Sequence, residues 1–492
     1  MPLALLLWRK GNMNNNTNKS SKPLCVDCDG TLIATDLLYE AFFLLLKQYP
    51  IGLFLLPFWL VKGKVYLKER LAEHVVFDWS TLPYRQEIID LINDARTQGR
   101  QTVLATASPR AWADGIANHL ACFDSVVSTE QGVNLSGQNK AKHLVKLFGE
   151  KNFDYAGDAH VDIAVWQHAA SAIIVSNNTG LINAAARTVE NSQVIPQKSA
   201  NFLVYLRALR VHQWLKNLLV IVPLLAAHQA NLLQGLLQVV YAFFAFSLCA
   251  SAVYVLNDLL DLESDRQHVR KRKRPFAAGS IPLWQGMLMV PALLAIAFAI
   301  AAMLPKQFIL VLAAYFVMTL AYSIRLKKQV IVDVMLLAGL YTMRIIAGAA
   351  ATQITPSFWL LAFSMFIFLS LAMVKRYSEL LITLQNNKQE AAGRGYAVSD
   401  LPVLMSIGVS SGIGSVLILA LYLNNPETNK MYPNTMWLWL MPPLLLYWIS
   451  RMWMKTQRGQ VDDDPVVFAA RDWQSLVVLV LSACIFIAAL KF

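Results

Sequence analysis

The sequence predicts a multidomain chain of two unlike fold classes: an α/β domain with a parallel sheet, then an all-α polytopic membrane domain of nine transmembrane helices. Three observations predict it. Of 492 residues, 56% are hydrophobic and 15% charged, with mean hydropathy +0.44, where an average soluble protein carries about 25% charged residues. The charge is divided: residues 1–200 hold 19 Lys and Arg against 18 Asp and Glu, whereas 201–492 hold 24 against 13, so the net +12 resides almost wholly in the second part. Short apolar strands alternate with helices over 22–190, and long apolar stretches follow from about 206. An ordinary soluble enzyme, a disordered chain and a collagen-like chain are excluded.

Residues 1–21 read as a disordered N-terminus. Met1–Trp8 is apolar, but Arg9 and Lys10 follow it rather than precede it, so it is neither a signal peptide nor long enough to span. Five scattered cysteines, odd in number, argue against a disulfide framework and for a reducing compartment.

The α/β domain is expected over 22–195, with an insert at about 34–95. Its first strand, Pro23–Val26, runs into Asp27-Cys28-Asp29-Gly30-Thr31. Two carboxylates at i and i+2 beyond a strand end can supply a nucleophile and a general acid/base around one Mg²⁺. A second strand ends in Thr106-Ala107-Ser108, Lys142 opens a helix, and a further strand ends in Gly157-Asp158 with Asp162 close behind. In this order the motifs, over about 22–180, resemble the haloacid-dehalogenase-like (HAD) phosphatases, specifically their phosphoserine-phosphatase-like members. The resemblance implies a Rossmann-like HAD domain in which the insert at about 34–95 is a helical cap, Asp27 becomes the aspartyl-phosphate and Asp29 is the acid/base. By the same resemblance Thr106 and Lys142 hold the phosphate, and Asp158 with Asp162 joins Asp27 and Asp29 around Mg²⁺. The alternative is an inactive relic. Within the cap, Ile51–Val61 is apolar but too short to span; it either dips into the membrane interface or forms a buried cap core.

A linker at 196–205 leads to the membrane domain, 206–492. Nine apolar stretches are expected to span, at about 212–229, 235–256, 283–303, 307–324, 331–351, 357–375, 402–422, 434–453 and 473–491. Basic residues concentrate on one side: the run 266–274, then Arg325, Lys327 and Lys328, then Lys375, Arg376, Lys388 and Arg394, then Arg451, Lys455, Arg458 and Arg471. That side is expected to be cytoplasmic, with the α/β domain on it, in a multi-pass protein of the inner cell membrane whose C-terminus lies outside. The excess positive charge is thereby assigned to the membrane face, and no nucleic-acid partner is expected.

Acids among those bases need another explanation. Asn257, Asp258, Asp261, Glu263 and Asp265 end the second helix, and ionisable groups near hydrocarbon depth are costly. Positions 257, 261 and 265 project from one face of a continuous helix, an arrangement in which oxygen ligands hold Mg²⁺ while it bridges substrate phosphates. A solvated helix end is the plainer reading. A second cluster comprises Tyr322, Ser323, Lys327, Lys328, Asp333 and Arg344. Arg344 lies about 16 Å beyond Asp333 along a helix and needs a partner, either an anionic head group or a carboxylate on the Asp333 side. Lys216 and Asn217 in Gln213-Trp214-Leu215-Lys216-Asn217, and the run from Lys375 to Glu379, are further candidates.

These motifs resemble the UbiA superfamily of intramembrane prenyltransferases, and within it the decaprenyl-phosphate phosphoribosyltransferase branch. The stretches that carry the resemblance are QWLKN at 213–217, NDLLDLESDRQHVRKRKRPFAAG at 257–279, YSIRLKK, VDV and MRIIAG within 322–348, KRYSEL at 375–380 and DDPVVFAARD at 463–472. One departure is Val211, where the branch leads one to expect proline. The resemblance covers 203–492. It implies transfer of 5-phosphoribosyl from phosphoribosyl diphosphate to a polyprenyl phosphate, with Mg²⁺ on Asp261 and Asp265, assisted by Asn257 and Asp258, neutralising the leaving diphosphate. Lys271, Arg272 and Arg274 would hold phosphates, and Tyr322, Lys327 and Arg344 the lipid phosphate or diphosphate.

The expectation is one membrane enzyme for two steps: the transfer, then removal of the 5-phosphate by the HAD domain, serving cell-envelope glycan assembly. The alternatives are prenyl transfer from a diphosphate to an aromatic acceptor, and a lipid-binding scaffold with an idle HAD fold. Polyprenyl length and oligomeric state stay open.

Overall fold

The computed structural model describes residues 22–491 except 131, 133, 198–199, 227–231, 388, 391–393, 426–431, 433 and 462–463; the expectations for residues 1–21, and for Lys388, lie outside the described residues. The chain forms two compact units: residues up to Tyr205 together with Asp258–Gly286, and Leu206–Asn257 together with Met287–Phe492. The acidic and basic loop 258–286 belongs to the first of these units.

In that unit six strands, β1 Leu24–Val26, β2 Thr102–Pro109, β3 Ser125–Thr129, β4 Asp154–Gly157, β5 Ser171–Val175 and β6 Asn191–Ile195, form a parallel sheet of order β3-β2-β1-β4-β5-β6. Period-two alternation divides β1 between two cores: Leu24 and Val26 pack on one face and Cys25 on the other. The order turns outward from β1 in both directions, which puts the crevice beyond its carboxyl end, where Asp27 and Asp29 stand.

Between β1 and β2 lie the cap helices α1 Leu37–Gln48, α2 Gly52–Val61 and α3 Lys64–His74, a 3₁₀ turn Trp79–Thr81, and helix α4 Gln86–Thr97. Asp36 caps α1, its carboxylate accepting from the Leu38 N–H at 2.8 Å. Helix α5 Arg110–Leu120 follows β2, and α6 Gln138–Phe148 starts after Gly137, whose φ of +53° suits glycine.

The second unit is helical, with α7 Leu232–Leu260, α8 Leu283–Ala301, α9 Lys306–Ile324, α10 Val332–Thr352, α11 Phe358–Gln385, α12 Leu401–Leu423, α13 Met441–Gln457 and α14 Trp473–Lys491. Seven of the described helices are long and apolar enough to cross a membrane; nine were expected. The first expected span is instead a 3₁₀ helix, Val211–Ile221, running into a short α-helix, Val222–Ala226. An eleven-residue 3₁₀ run is unusual and at membrane depth needs protein partners, which Lys216 and Asn217 find by being buried. The eighth, α13, has only 17 residues, and its last turns carry Arg451 and Lys455, both paired with Asp472. Hydropathy counts residues and misses side chains that fold back onto buried partners. Close helix packing is visible at Gly348, where an added Cβ would lie 1.9 Å from the Val220 carbonyl oxygen.

Candidate functional sites

At the crevice beyond β1, Lys140 of α6 is 3% exposed. Its Nζ donates to Asp27 Oδ1 at 2.7 Å and to the Tyr155 hydroxyl at 2.8 Å, and Tyr155 donates to Asp162 Oδ1 at 3.0 Å. Asp162 Oδ2 accepts from the backbone N–H groups of Asp158 and Ala159 at 3.2 and 3.1 Å. Thr31 donates to Asp158 Oδ1 at 3.2 Å. Gly30, at φ +76°, is required here: a Cβ would lie 2.1 Å from Asp158 Oδ2. Ligand oxygens of Asp27, Asp158 and Asp162 fall within 4.8 Å of one another, the one such acid group among the described residues.

Burial pushes the Asp27 carboxyl up to about 7, with Lys140 pulling down and Asp162 and Asp29 pushing up. Asp158 is held well above the usual carboxylate range by burial and then by Asp27 and Asp162. Burial lowers Lys140, but the facing carboxylates of Asp27 and Asp162 outweigh it and raise its pKa. Three carboxylates served by one lysine leave a surplus of negative charge, and that donor set fits a hard divalent cation such as Mg²⁺.

Asp29 is held at both oxygens, accepting from the Leu37 N–H at 2.8 Å and the Ser108 hydroxyl at 2.9 Å. Thr106 is fully buried and accepts from the Ser108 N–H at 3.1 Å. Lys142, expected to hold phosphate, is exposed; two positions along α6 it lies about 200° around the helix from Lys140. The lysine beside Asp27 is therefore Lys140, and the sequence signal for it was the same helix read one face away. No local sequence pattern signals Ser108 as a partner of Asp29, or Lys68 of cap helix α3, whose Nζ donates to the Ala107 carbonyl at 3.0 Å.

In the loop 258–286 the expected single helix face does not form. Helix α7 ends at Leu260, Asp261 leaves helical geometry at φ −101° and ψ 17°, and a new helix runs Leu262–Gln267. The break pairs Asp258 with Asp265 rather than Asp261 with Asp265. Each is 2% exposed, and both accept from the same guanidinium nitrogen of Arg274, at 3.1 and 2.6 Å. Two buried carboxylates converging on one cationic nitrogen mark a position for positive charge, which Arg274 occupies; their hard oxygen atoms are of the type a divalent cation takes. Lys271 and Arg272 are exposed on a 3₁₀ turn, Lys271–Lys273. Arg266 donates to both Glu40 oxygens at 3.2 and 2.5 Å, tying this loop to cap helix α1 in a buried pair that the sequence did not signal.

In the helical unit Arg344 is buried. It donates to Asn217 Oδ1 at 2.8 Å, the Leu340 carbonyl at 2.5 Å and the Tyr315 hydroxyl at 3.3 Å, with the rings of Phe246, Tyr315 and Tyr341 about its guanidinium. Asn217 is fixed in turn by donating to Ser247 at 2.9 Å. The expected carboxylate partner is not there: Asp333 faces Arg376 at 2.7 Å, without hydrogen-bond alignment, and Arg394 at 3.3 Å, and accepts from the Tyr322 hydroxyl at 2.8 Å. Lys216 pairs with Asp464 and lies 5.7 Å from the Tyr341 ring centroid. Asn257 donates to Ser323 at 2.9 Å, and Lys327 is half-buried in the 3₁₀ turn Leu326–Lys328.

Residues 218–476 match the UbiA prenyltransferase family and residues 24–167 the haloacid dehalogenase-like hydrolases. The chain is 38% identical over 471 residues to the uncharacterized protein y4nM of Sinorhizobium fredii, covering 95% of this chain and 91% of that one. To the nodulation protein NoeC of Azorhizobium caulinodans it is 35% identical, over 56% of this chain and 90% of that one. Decaprenyl-phosphate phosphoribosyltransferase of Mycobacterium tuberculosis is 40% identical over 195 residues, covering 39% of this chain and 65% of that enzyme. Among solved structures, a UbiA homologue from Archaeoglobus fulgidus bound to GPP and Mg²⁺ aligns with a TM-score of 0.46 at 17% identity, over 57% of this chain and 99% of that one. The chain belongs to the UbiA prenyltransferase family, as a membrane transferase that also carries a haloacid dehalogenase-like hydrolase domain.

Proposed function

We propose that this chain transfers 5-phosphoribosyl from phosphoribosyl diphosphate to a polyprenyl phosphate and then removes the 5-phosphate with its HAD domain, supplying a polyprenyl-phospho-ribose for cell-envelope glycan assembly. The observation that carries the reading is the convergence of Asp258 and Asp265 on one cation position, beside the basic run ending at Arg274. The 40% identity to a decaprenyl-phosphate phosphoribosyltransferase supports the choice of donor and acceptor.

In the transfer, a lipid phosphate oxygen bonds to ribose C1 as the bond from C1 to the diphosphate oxygen breaks. Lys271, Arg272 and Arg274 hold the phosphates, Arg by a bidentate fork and Lys as a point charge. Arg344, surrounded by an amide, a carbonyl, a hydroxyl and rings, keeps its charge uncommitted for the lipid phosphate or the diphosphate. In the hydrolysis, Asp27 attacks phosphorus, Asp29 protonates the departing ribose oxygen and later deprotonates water, and Lys140 and Thr106 hold the phosphoryl oxygens. When bound, Mg²⁺ would be held by Asp27, Asp158 and Asp162 in one site and by Asp258, Asp261 and Asp265 in the other, and would supply positive charge to phosphate oxygens. Both sites face the cytoplasm and the C-terminus lies outside, a placement supported by the basic residues of the loops.

Membranes supplied with phosphoribosyl diphosphate and polyprenyl phosphate should release diphosphate and form a lipid lacking the 5-phosphate. Release that instead requires a prenyl diphosphate and a phenol overturns the transfer reading. An Asp27→Asn protein that yields the same dephosphorylated lipid overturns the hydrolysis reading.

A further inference from the structure

We propose that cap helix α2, Gly52–Val61, seats in the interfacial zone of an anionic lipid bilayer, and that the HAD site therefore takes its phosphomonoester from a membrane lipid. The second half of this statement rests on the hydrolysis reading above; the first does not.

The helix is unlike any other in its unit. Its ten residues, GLFLLPFWLV, hold no polar side chain, and only Gly52, Trp59 and, in part, Leu56 are turned into the protein. Phe54, Phe58, Leu60 and Val61 are 78, 70, 61 and 89% exposed. A patch this apolar is not stable in water on a monomer and marks a partner surface. Four features identify the partner as a bilayer. Ten residues extend about 15 Å, enough to lie in the interface and too short to cross. Lys62 and Lys64 follow at once, both exposed, where anionic head groups would meet an embedded helix. Apolar side chains on nearly every side suit a fluid acyl boundary better than a protein groove, which matches one face. Covalent connection to the helical unit also keeps this domain near a membrane.

The site is one short link away. Gly63, at φ +104°, joins α2 to α3, and α3 delivers Lys68, 8% exposed, to the Ala107 carbonyl between Thr106 and Ser108. Seating α2 in lipid thus fixes the helix that closes over the phosphate loop. A monoester on a lipid reaches the site at the depth of its own head group, whereas a soluble one gains nothing from the seat.

The full chain, with single cysteines introduced at Phe54, Phe58 or the exposed Lys146 and labelled with an environment-sensitive dye, is placed in nanodiscs of phosphatidylcholine and phosphatidylglycerol with and without doxyl lipid. Quenching at 54 and 58, and none at 146, is expected. Equal or absent quenching at all three overturns the seat, and a blue-shifted but unquenched label assigns the helix to a protein partner instead. In a second arm, the double variant Phe54→Asp, Phe58→Asp should hydrolyse p-nitrophenyl phosphate like the unaltered chain but lose roughly tenfold on a lipid-borne monoester. Equal loss on both substrates overturns the lipid-substrate inference. Failure of the unaltered chain to hydrolyse either one sinks the hydrolysis reading and leaves the quenching result to judge the seat.

Discussion

The two units solve charge burial in opposite ways. Around Asp27 three carboxylates crowd a single lysine, whereas in the helical unit two cations meet Asp333, namely Arg376 and Arg394, and two meet Asp472, namely Arg451 and Lys455. The acid-rich pocket offers hard oxygen ligands to a cation, while in the helical unit the acids hold the arginines in place. Arg344 marks the limit of the second pattern, since its described partners are neutral.

The largest test of this contrast removes the proposed nucleophile. Asp27→Asn should lower phosphatase turnover about a thousandfold or more while diphosphate release by the same membranes stays unchanged. Product lipid bearing its 5-phosphate, seen by mass spectrometry, is the expected readout. Joint loss of both activities would break the division into two independent sites.

Next in size are the buried pairs. Glu40→Ala leaves Arg266 buried without its carboxylate, whereas Asp333→Ala takes from the fully buried Arg376 one of two carboxylates and leaves it Glu379. Glu40→Ala should cost about 3–5 kcal/mol, because an orphaned buried charge loses far more than the pair contributes, and Asp333→Ala about 1–3 kcal/mol. Thermal unfolding followed by fluorescence measures it. Arg344→Gln should behave otherwise: about 3 kcal/mol of transition-state stabilisation, or roughly a hundredfold in transfer rate, with little change in melting temperature. A melting temperature that falls as far as in Asp333→Ala would make Arg344 a structural residue and end the comparison.

A smaller effect concerns protons. Asp27, at about 7 in the folded chain against about 3.9 unfolded, holds a proton between those values that the unfolded chain has lost. The metal-free unit is therefore stabilised by it at low pH and loses that stability as pH rises toward 7. Mg²⁺ must displace the proton, so its binding near pH 6 should release protons into a weak buffer and its stabilising effect should grow with pH. Flat behaviour from pH 5 to 8 would mean the three acids do not share one cation.

Much of this was legible in the sequence, for reasons that also mark where reading stopped. The parallel sheet and the Asp27, Asp29 and Asp158 positions follow from strands that end in acids, a local pattern. The spans follow from apolar length, except where Lys216, Asn217 and Arg451 fold onto distant partners, which hydropathy does not register. The pairing of Asp258 with Asp265 was hidden because the one-face argument assumed an unbroken helix, and Asp261 breaks it. Glu40 with Arg266, and Lys216 with Asp464, are 226 and 248 residues apart, separations at which only the folded chain brings partners together.

The smallest predicted effect separates two lysines that the sequence could not. Lys140 and Lys142 both fall in the first turns of α6, and both sit in an NKAK context that marks a helix start. Helical geometry puts them on opposite faces, and only one face meets β1. Lys142→Ala removes an exposed side chain and should leave phosphatase turnover within about twofold and stability within about 0.5 kcal/mol. Lys140→Met, by contrast, takes away the only ammonium that neutralises Asp27 within hydrogen-bond distance among the described residues, so its loss should approach that of Asp27→Asn. The ratio of the two variants' turnover reads out which face of α6 looks at the phosphate: a ratio near one would mean that the helix is rotated by about half a turn from the arrangement described above, and the acid pocket would then lack its cation.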